Sequence, residues 1–455
     1  MESPAKIDVA QLVDRSRVGA FQWGIFTLCS LCLIMDGFDV QAMGYVAPAI
    51  IREWQIPNYV LGPVFSAALL GVLVGSLLLS MLADKIGRRP VLIGAALYFA
   101  VLTLWTARAT SVRELLAIRF IAGIGLGGIM PNAMALAGEY TPTRMRFTVM
   151  MLVANGFNIG AAFGGFIAAA LIPAFGWRSV FYFGGLVPLV LAIPMYFMLP
   201  ESLQFLVLRG KHLDKVGGWL RRIGAPVPAG GAAPPQYVVH EENRKGVPLV
   251  HLFREGRAVG TVLLWVINFM NLLNLYFLSS WLPTVVRDAG YSTRIAVLVG
   301  TTVQMGAVLG TFVNGWLIDR MGFRKVLTAG FGIACVSIAS IGQPSLPLLM
   351  LFVVVFIAGW CVPGGQGGVN ALAATYYPTY LRSTGIGSGL GIGRIGAIVG
   401  PLMASELMRR HWAARELFLA AAIPALISAI VMYSMRWVMK QPTQPVAAGE
   451  ALVHH

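Results

Sequence analysis

The stretch SMLADKIGRRP (80–90) is answered about 235 residues later by GWLIDRMGFRK (315–325). Each closes a long apolar run with an acid, Asp84 or Asp319, followed by a glycine and a basic cluster. The echo extends outward in both directions. YTPTRMR (140–146) matches YYPTYLR (376–382), FIAG recurs at 120–123 and 356–359, and Gly160 and Gly164 fall in step with Gly396 and Gly400. The chain is one unit written twice, so its fold is expected to have two similar halves.

The unit is built for hydrocarbon. Of 455 residues, 57% are hydrophobic and 12% charged, about half the charged share of a soluble domain. Spanning a bilayer takes roughly 20 mostly apolar residues. Twelve stretches qualify, at 21–49, 60–82, 90–108, 114–137, 147–172, 178–199, 258–283, 295–318, 326–342, 346–370, 384–408 and 415–437. Such runs must satisfy their own backbone hydrogen bonds. The expected fold is therefore an all-α membrane protein of 12 transmembrane helices in two six-helix, pseudo-symmetric halves. The first stretch is too long for a signal-peptide core and is read as the first helix. The segments are 1–20 (cytoplasmic N-terminus), 21–199 (first half), 200–257 (linker), 258–437 (second half) and 438–455 (cytoplasmic tail). The linker is basic, then rich in Pro, Gly and Ala (GAPVPAGGAAPP, 224–235), then charged again. It reads as a mostly mobile tether with some short helix.

The net charge of +15 follows from topology rather than from nucleic acid. With the N-terminus inside, 23 of the 34 Lys/Arg fall on cytoplasmic segments and 9 on the opposite loops, while Arg119 and Arg394 lie within spans. That bias places both termini in the cytoplasm. The four cysteines, Cys29, Cys32, Cys335 and Cys361, all lie in spans and read as small packing residues. No nucleophile–base set, metal-ligand cluster or phosphate loop is present. An enzyme is not expected, nor a cofactor beyond a coupling proton.

Four charges sit deep in the spans: Asp36 and Asp39 in LIMDGFDVQAMG (33–44), Arg119 and Arg394. Each costs roughly 2.5–3.5 kcal/mol on insertion scales, so each faces the protein interior or a water-filled cavity. Asp36 and Asp39 share one side of their helix. Counting depth along the helices sets Arg119 level with Asp39, which suggests an acid–arginine cluster. At the repeat offset Asp36 and Asp39 fall on Asn271 and Asn274, Asn158 on Arg394, and Arg119 on Val355. The first half thus holds the titratable acids. The second holds a lone cation, for which an anionic substrate can supply the counter-ion, since guanidinium pairs a carboxylate bidentately. A pair with the first span across a cavity is the alternative. Further polar candidates for the cavity are Asn155 and Asn158, Asn268, Asn271, Asn274 and Tyr276, Gln304, Gln366 and Asn370.

The motifs carry a resemblance. DKIGRR and DRMGFRK resemble the signature loop of the major facilitator superfamily. RFIAGIGLGG (119–128) resembles its fourth-helix motif, and PESLQFL (200–206) the motif closing the sixth helix in many members. DGFD resembles the aromatic acid:proton symporter family within it. Two departures stand out: Ser80 replaces the usual first glycine of the loop. In GFNIGAAFGG (156–165), Ala161 replaces the proline of drug–proton antiporters.

The resemblance implies a transporter with its site between the halves near the midplane. It implies a proton-driven importer of a hydroxybenzoate-type aromatic acid, in a bacterial inner membrane and as a monomer. A symporter for another organic anion, or an exporter, stays open. Asp36, Asp39 and Arg119 are the expected coupling residues, with Asp39 favoured as carrier and Glu139 next. Arg394 is expected at the substrate carboxylate. Asp84, Arg88, Arg89, Asp319, Arg320, Arg324 and Arg382 are expected to gate the cytoplasmic side. The bland alternative for the loop charges is anchoring at the membrane surface.

Overall fold

The computed structural model describes residues 6–210, 213–224, 236–238, 249–343, 346–378 and 381–438, apart from the side chains of Lys6, Ile7, Phe147, Leu213, Asp214, Lys215, Gln236 and Val438. The Pro/Gly/Ala-rich part of the linker, apart from Gly224, and the tail after 438 lie outside them. α1 (Val9–Arg15) precedes the first half, which comprises α2 (Ala20–Trp54), α3 (Gly62–Ile86), α4 (Arg88–Thr106), α5 (Val112–Gly127), α6 (Ile129–Glu139), α7 (Thr143–Phe175) and α8 (Arg178–Met198). α9 (Leu203–Arg209) and α10 (Leu213–Arg222) belong to the linker. The second half is α11 (Ala258–Asp288), α12 (Thr293–Met321), α13 (Phe323–Ile341), α14 (Leu348–Cys361), α15 (Pro363–Tyr376), α16 (Arg382–Arg409) and α17 (Ala414–Val438). With α5–α6 and α14–α15 each counted once, these make twelve candidate membrane spans.

Two spans expected to be continuous are broken at matching places. The fourth breaks at Gly128, whose N–H turns back to Gly125 and Leu126. The tenth breaks at Val362. In each case a proline follows closely, Pro131 or Pro363, and lacks the N–H that would continue the ladder.

Glycines bring the core helices together. A Cβ at Gly37 would strike the Phe157 carbonyl, and one at Gly160 the Ile34 carbonyl, so α2 and α7 touch backbone to backbone. Small residues permit such approach where no hydrophobic effect drives association. Gly396 meets the Phe269 carbonyl in the same way, joining α16 to α11 in the second half.

The halves meet toward the end away from the linker. Phe65 packs edge-on against Trp281, with centroids 5.2 Å apart. Ser66 donates to the Ile398 carbonyl at 2.8 Å, and Arg287 to the Pro48 carbonyl at 3.2 Å. Asn58 bonds Asp288, and Ser405 bonds the Tyr59 carbonyl.

At the linker end no ion pair joins the two halves among the described residues; each stays within one half or the linker. Arg88 pairs with Glu139, whose carboxylate also accepts from Ser202 at 2.7 Å. Glu201 accepts from the backbone N–H groups of Arg88, Arg89 and Ser202 at 2.8–3.0 Å, an acid set on a helix N-terminus. Glu139 therefore belongs to this brace and not to the deep acids. Asp84 is exposed, and its carbonyl accepts from Arg209 at 3.3 Å. Asp319, Arg320 and Arg382 are exposed and Arg324 is half-buried, with Arg320 stacked 4.1 Å from the Trp316 ring centroid.

The described linker is docked rather than free. β1 (Lys6–Asp8) pairs in parallel with β2 (Gln236–Val238). Val216 and Leu220 of α10 enter the same apolar cluster as Val9, Leu12 and Val13 of α1. Asp14 accepts from the N–H and hydroxyl of Thr143, both at 2.7 Å. The reason is amphipathicity: short helices with one apolar face bury it on the nearest core.

Candidate functional site

The DGFD turn divides its two acids between neighbours. Asp39 is fully buried and forms a two-pronged pair with Arg119 of α5, at 2.9 and 2.7 Å. The Phe181 ring centroid lies 5.8 Å from that guanidinium, and Thr103 donates to Asp39 at 3.4 Å. The expected acid–arginine cluster is thus present inside the first half. Asp36 lies outside it. It is 6% exposed and makes no hydrogen bond among the described residues. Arg394 and Tyr276 of the second half lie within electrostatic range of it.

Arg394 comes from the middle of α16 and is half-buried. It crosses to the first half and donates to the Ser76 hydroxyl of α3. No carboxylate pairs with it among the described residues. It is a cation held by one neutral hydroxyl between the halves, with most of its donor fork uncommitted.

A chain of amides lines the second half beside it. Gln366 is the hub: it accepts from Asn271 at 2.7 Å and donates to Asn268 at 3.0 Å and Asn370 at 3.1 Å. Asn271 also donates to the Val362 carbonyl at 3.1 Å, freed where α14 and α15 break. Gly393, next to Arg394, sits against the Asn268 backbone. The amide chain and the cation therefore belong to one region. On α7, Asn158 donates to Asn155 at 3.0 Å, and the Asn155 Nδ2 is buried without a partner among the described residues.

Two residues expected in the cavity are elsewhere. Asn274 is 1% exposed, and its amide, turned to match its surroundings, donates to the Ala421 carbonyl at 2.7 Å and accepts from the Ala425 N–H at 3.1 Å. It anchors α11 to α17. Gln304 is 3% exposed and donates to Gln41 at 3.2 Å and Ser279 at 3.3 Å. Gln41 in turn donates to the Ser279 carbonyl at 2.7 Å. This buried triad ties α2, α11 and α12 five residues beyond Asp36, about 7–8 Å along the helix. It forms the roof of the site. Sequence reading missed Gln41, although its polarity within an apolar span was a signal. Ser76 carried no such signal, since a serine among small residues reads as packing.

The comparisons agree with this architecture. The profile of the Major Facilitator Superfamily matches residues 29–292 and 264–453. The chain is 39% identical over 440 residues to the 4-hydroxybenzoate transporter PcaK of Pseudomonas aeruginosa, covering 94% of this chain and 96% of that protein. It is 37% identical to the gallate transporter of Pseudomonas putida, covering 98% of each. The solved structure of the xylose transporter XylE from E. coli, in a partially occluded inward-open conformation, superposes with a TM-score of 0.72 at 18% identity, over 91% of this chain and 98% of that one. Paired six-helix halves, a charged inter-half site and these matches make one conclusion: the chain belongs to the major facilitator superfamily and is a multi-pass membrane transporter, not an enzyme.

Proposed function

We propose that the protein is a proton-coupled symporter that imports an aromatic carboxylate of the hydroxybenzoate type across the bacterial inner membrane, as a monomer with both termini in the cytoplasm. The observation that carries this reading is Arg394, a cation between the halves with no carboxylate partner among the described residues. A substrate carboxylate can take two of its donors at once, which an ammonium cannot match. Ring hydroxyls suit the Gln366 amide chain, and Tyr276 offers a face for stacking. Relatives named as 4-hydroxybenzoate and gallate transporters support the substrate class.

The coupling role goes to Asp36 rather than to Asp39. Asp39 is enclosed by its pair with Arg119, and separating such a pair leaves an uncompensated buried charge. Asp36 faces the same inter-half region as Arg394, so its charge and that of the substrate are read together. The far-end contacts and the roof triad close one side of the site, and the unlocked linker end supplies the other. Alternating access then exchanges these two closures, with the loop charges forming the lock in the opposite state.

The test is uptake of labelled 4-hydroxybenzoate into proteoliposomes under an imposed pH gradient, with binding measured in parallel. Wild type accumulates substrate only with the gradient. Arg394→Ala loses binding and Arg394→Lys recovers little of it. Full affinity in Arg394→Ala would move the anion site elsewhere.

A further inference from the structure

At the linker end, the start of α4, the end of α8 and one face of α10 come together. Between them is a cavity of about 340 Å³, lined by Arg89, Arg222 and Trp219 together with Phe197 and Met198. We propose that this cavity binds the phosphodiester headgroup of an anionic phospholipid from the adjoining leaflet, cytoplasmic on the charge reading.

The chemistry of the walls supports this. Both charged lining groups are guanidiniums, the side chains that best match a phosphate's geometry. Arg89 donates to the Tyr196 carbonyl and stacks 5.5 Å from the Tyr196 ring centroid, while its Nε is buried without a partner. Arg222 is exposed, with its guanidinium 5.7 Å from the Phe21 ring centroid. Among the described residues no carboxylate lines the space. The nearby Glu201 is engaged by three backbone N–H groups. Among the described residues the site is therefore a cationic pocket with no internal counter-ion.

Position selects a lipid over a soluble anion. Phe197 and Met198 are 78% and 57% exposed on the last turn of a membrane span, so the pocket opens onto the surface that faces acyl chains. Trp219 and Tyr196 supply the aromatic rings typical of the interface, and basic pockets at the cytoplasmic side of helix bundles hold acidic headgroups. The volume exceeds that of a lone phosphate and lies in the range of small-molecule sites. Because α10 forms one wall, a bound lipid would fasten the linker to the membrane as well as to the first half.

The experiment is thermal unfolding of the purified full chain titrated with phosphatidylglycerol, phosphatidylcholine of the same acyl chains, or inorganic phosphate. The lipid must be anionic, so phosphatidylglycerol raises the unfolding temperature and phosphatidylcholine does not. Arg89→Gln and Arg222→Gln each weaken the apparent phosphatidylglycerol affinity about fivefold, the effect of one interfacial arginine. Arg221→Gln, next in sequence but outside the lining, leaves it unchanged. Arg222 is on the surface, so its variant decides the matter even if Arg89→Gln fails to fold. Equal shifts from both lipids, or an undiminished phosphatidylglycerol shift in Arg222→Gln, would overturn the proposal. Stabilisation by inorganic phosphate with the same arginine dependence would assign the pocket to a soluble anion and overturn the lipid.

Discussion

The two halves share a backbone plan and divide the chemistry. Asp39 and its repeat counterpart Asn274 both turn away from the inter-half region to tie a helix to a neighbour in the same half. One uses a charge pair with Arg119 and the other an amide on the α17 backbone. Asp36 and its counterpart Asn271 both sit beside the inter-half region, one titratable and the other fixed in the Gln366 chain. Asn158 and Arg394 make the third contrast. At this region the first half presents a titratable acid, while the second presents a cation and neutral donors and acceptors. The proposed symport would use both, because a proton site and an anion site that were interchangeable would not couple.

The anchors give the largest expected effect. Arg119→Ala leaves Asp39 buried without its cation, and should cost about 3–5 kcal/mol of stability. Asn274→Ala at the matching place should cost about 1–3 kcal/mol, the range for an unmade buried hydrogen bond. Thermal unfolding of the purified variants checks both. The double variant Asp39→Leu/Arg119→Leu should recover much of the stability lost in Arg119→Ala. Equal losses in the two halves would break the contrast between charge anchor and amide anchor.

The next effect concerns the movable charge. Asp36→Asn mimics a permanently protonated acid, so it should bind substrate and exchange labelled for unlabelled substrate in counterflow. It should fail to accumulate substrate under a pH gradient, because the carrier cannot return empty and deprotonated. Adding Asn271→Asp places an acid at the equivalent position of the second half and should not restore accumulation. Restoration would show that either half can carry the proton.

A smaller change sharpens the role of the neutral half. Gln366→Leu removes the hub of the amide chain, and the ring hydroxyl loses a partner worth about 1 kcal/mol. Affinity for 4-hydroxybenzoate should fall several-fold, while that for benzoate changes little. Competition binding with the two acids reads the difference directly. Parallel losses would mean that Gln366 holds the helices together and does not select the ring.

The smallest effect lies outside the membrane, where α1 and α10 are clamped to the first half. Partial burial pushes the Asp14 carboxyl up, but hydrogen bonds from Thr143 and the charges of Arg146 and Arg144 outweigh it and hold it below its ordinary value. A depressed carboxylate adds stability above its unfolded pKa and loses it as pH falls through the folded one. The clamp should therefore hold at neutral pH and loosen only in acid. Asp14→Asn should loosen it at pH 7 and flatten this dependence. Hydrogen exchange at residues 9–16 as a function of pH gives the measurement, and unchanged protection in the variant would remove Asp14 from the clamp.

The spans, the repeat and the depth of the four intramembrane charges were all legible in the sequence. Each depends on apolar run length, internal similarity or the fixed rise of a helix, and all of these are local. The link between Asp39 and Arg119 was legible too, because matched depth and opposite charge leave few other partners in hydrocarbon. Only the tertiary structure decided which of two acids three residues apart is enclosed. They differ by about 60° around the helix, and that angle acquires meaning only when the neighbours are placed. The same reason sent Asn274 to α17 and Gln304 to the roof, since a polar side chain in a span must find a partner but does not name it. The docked linker was hidden for a related reason: its composition marks a tether, while the apolar face of α10 matters only once the α1 core stands opposite it. Sequence thus determined what the membrane demands of each segment, and packing determined which neighbour meets each demand.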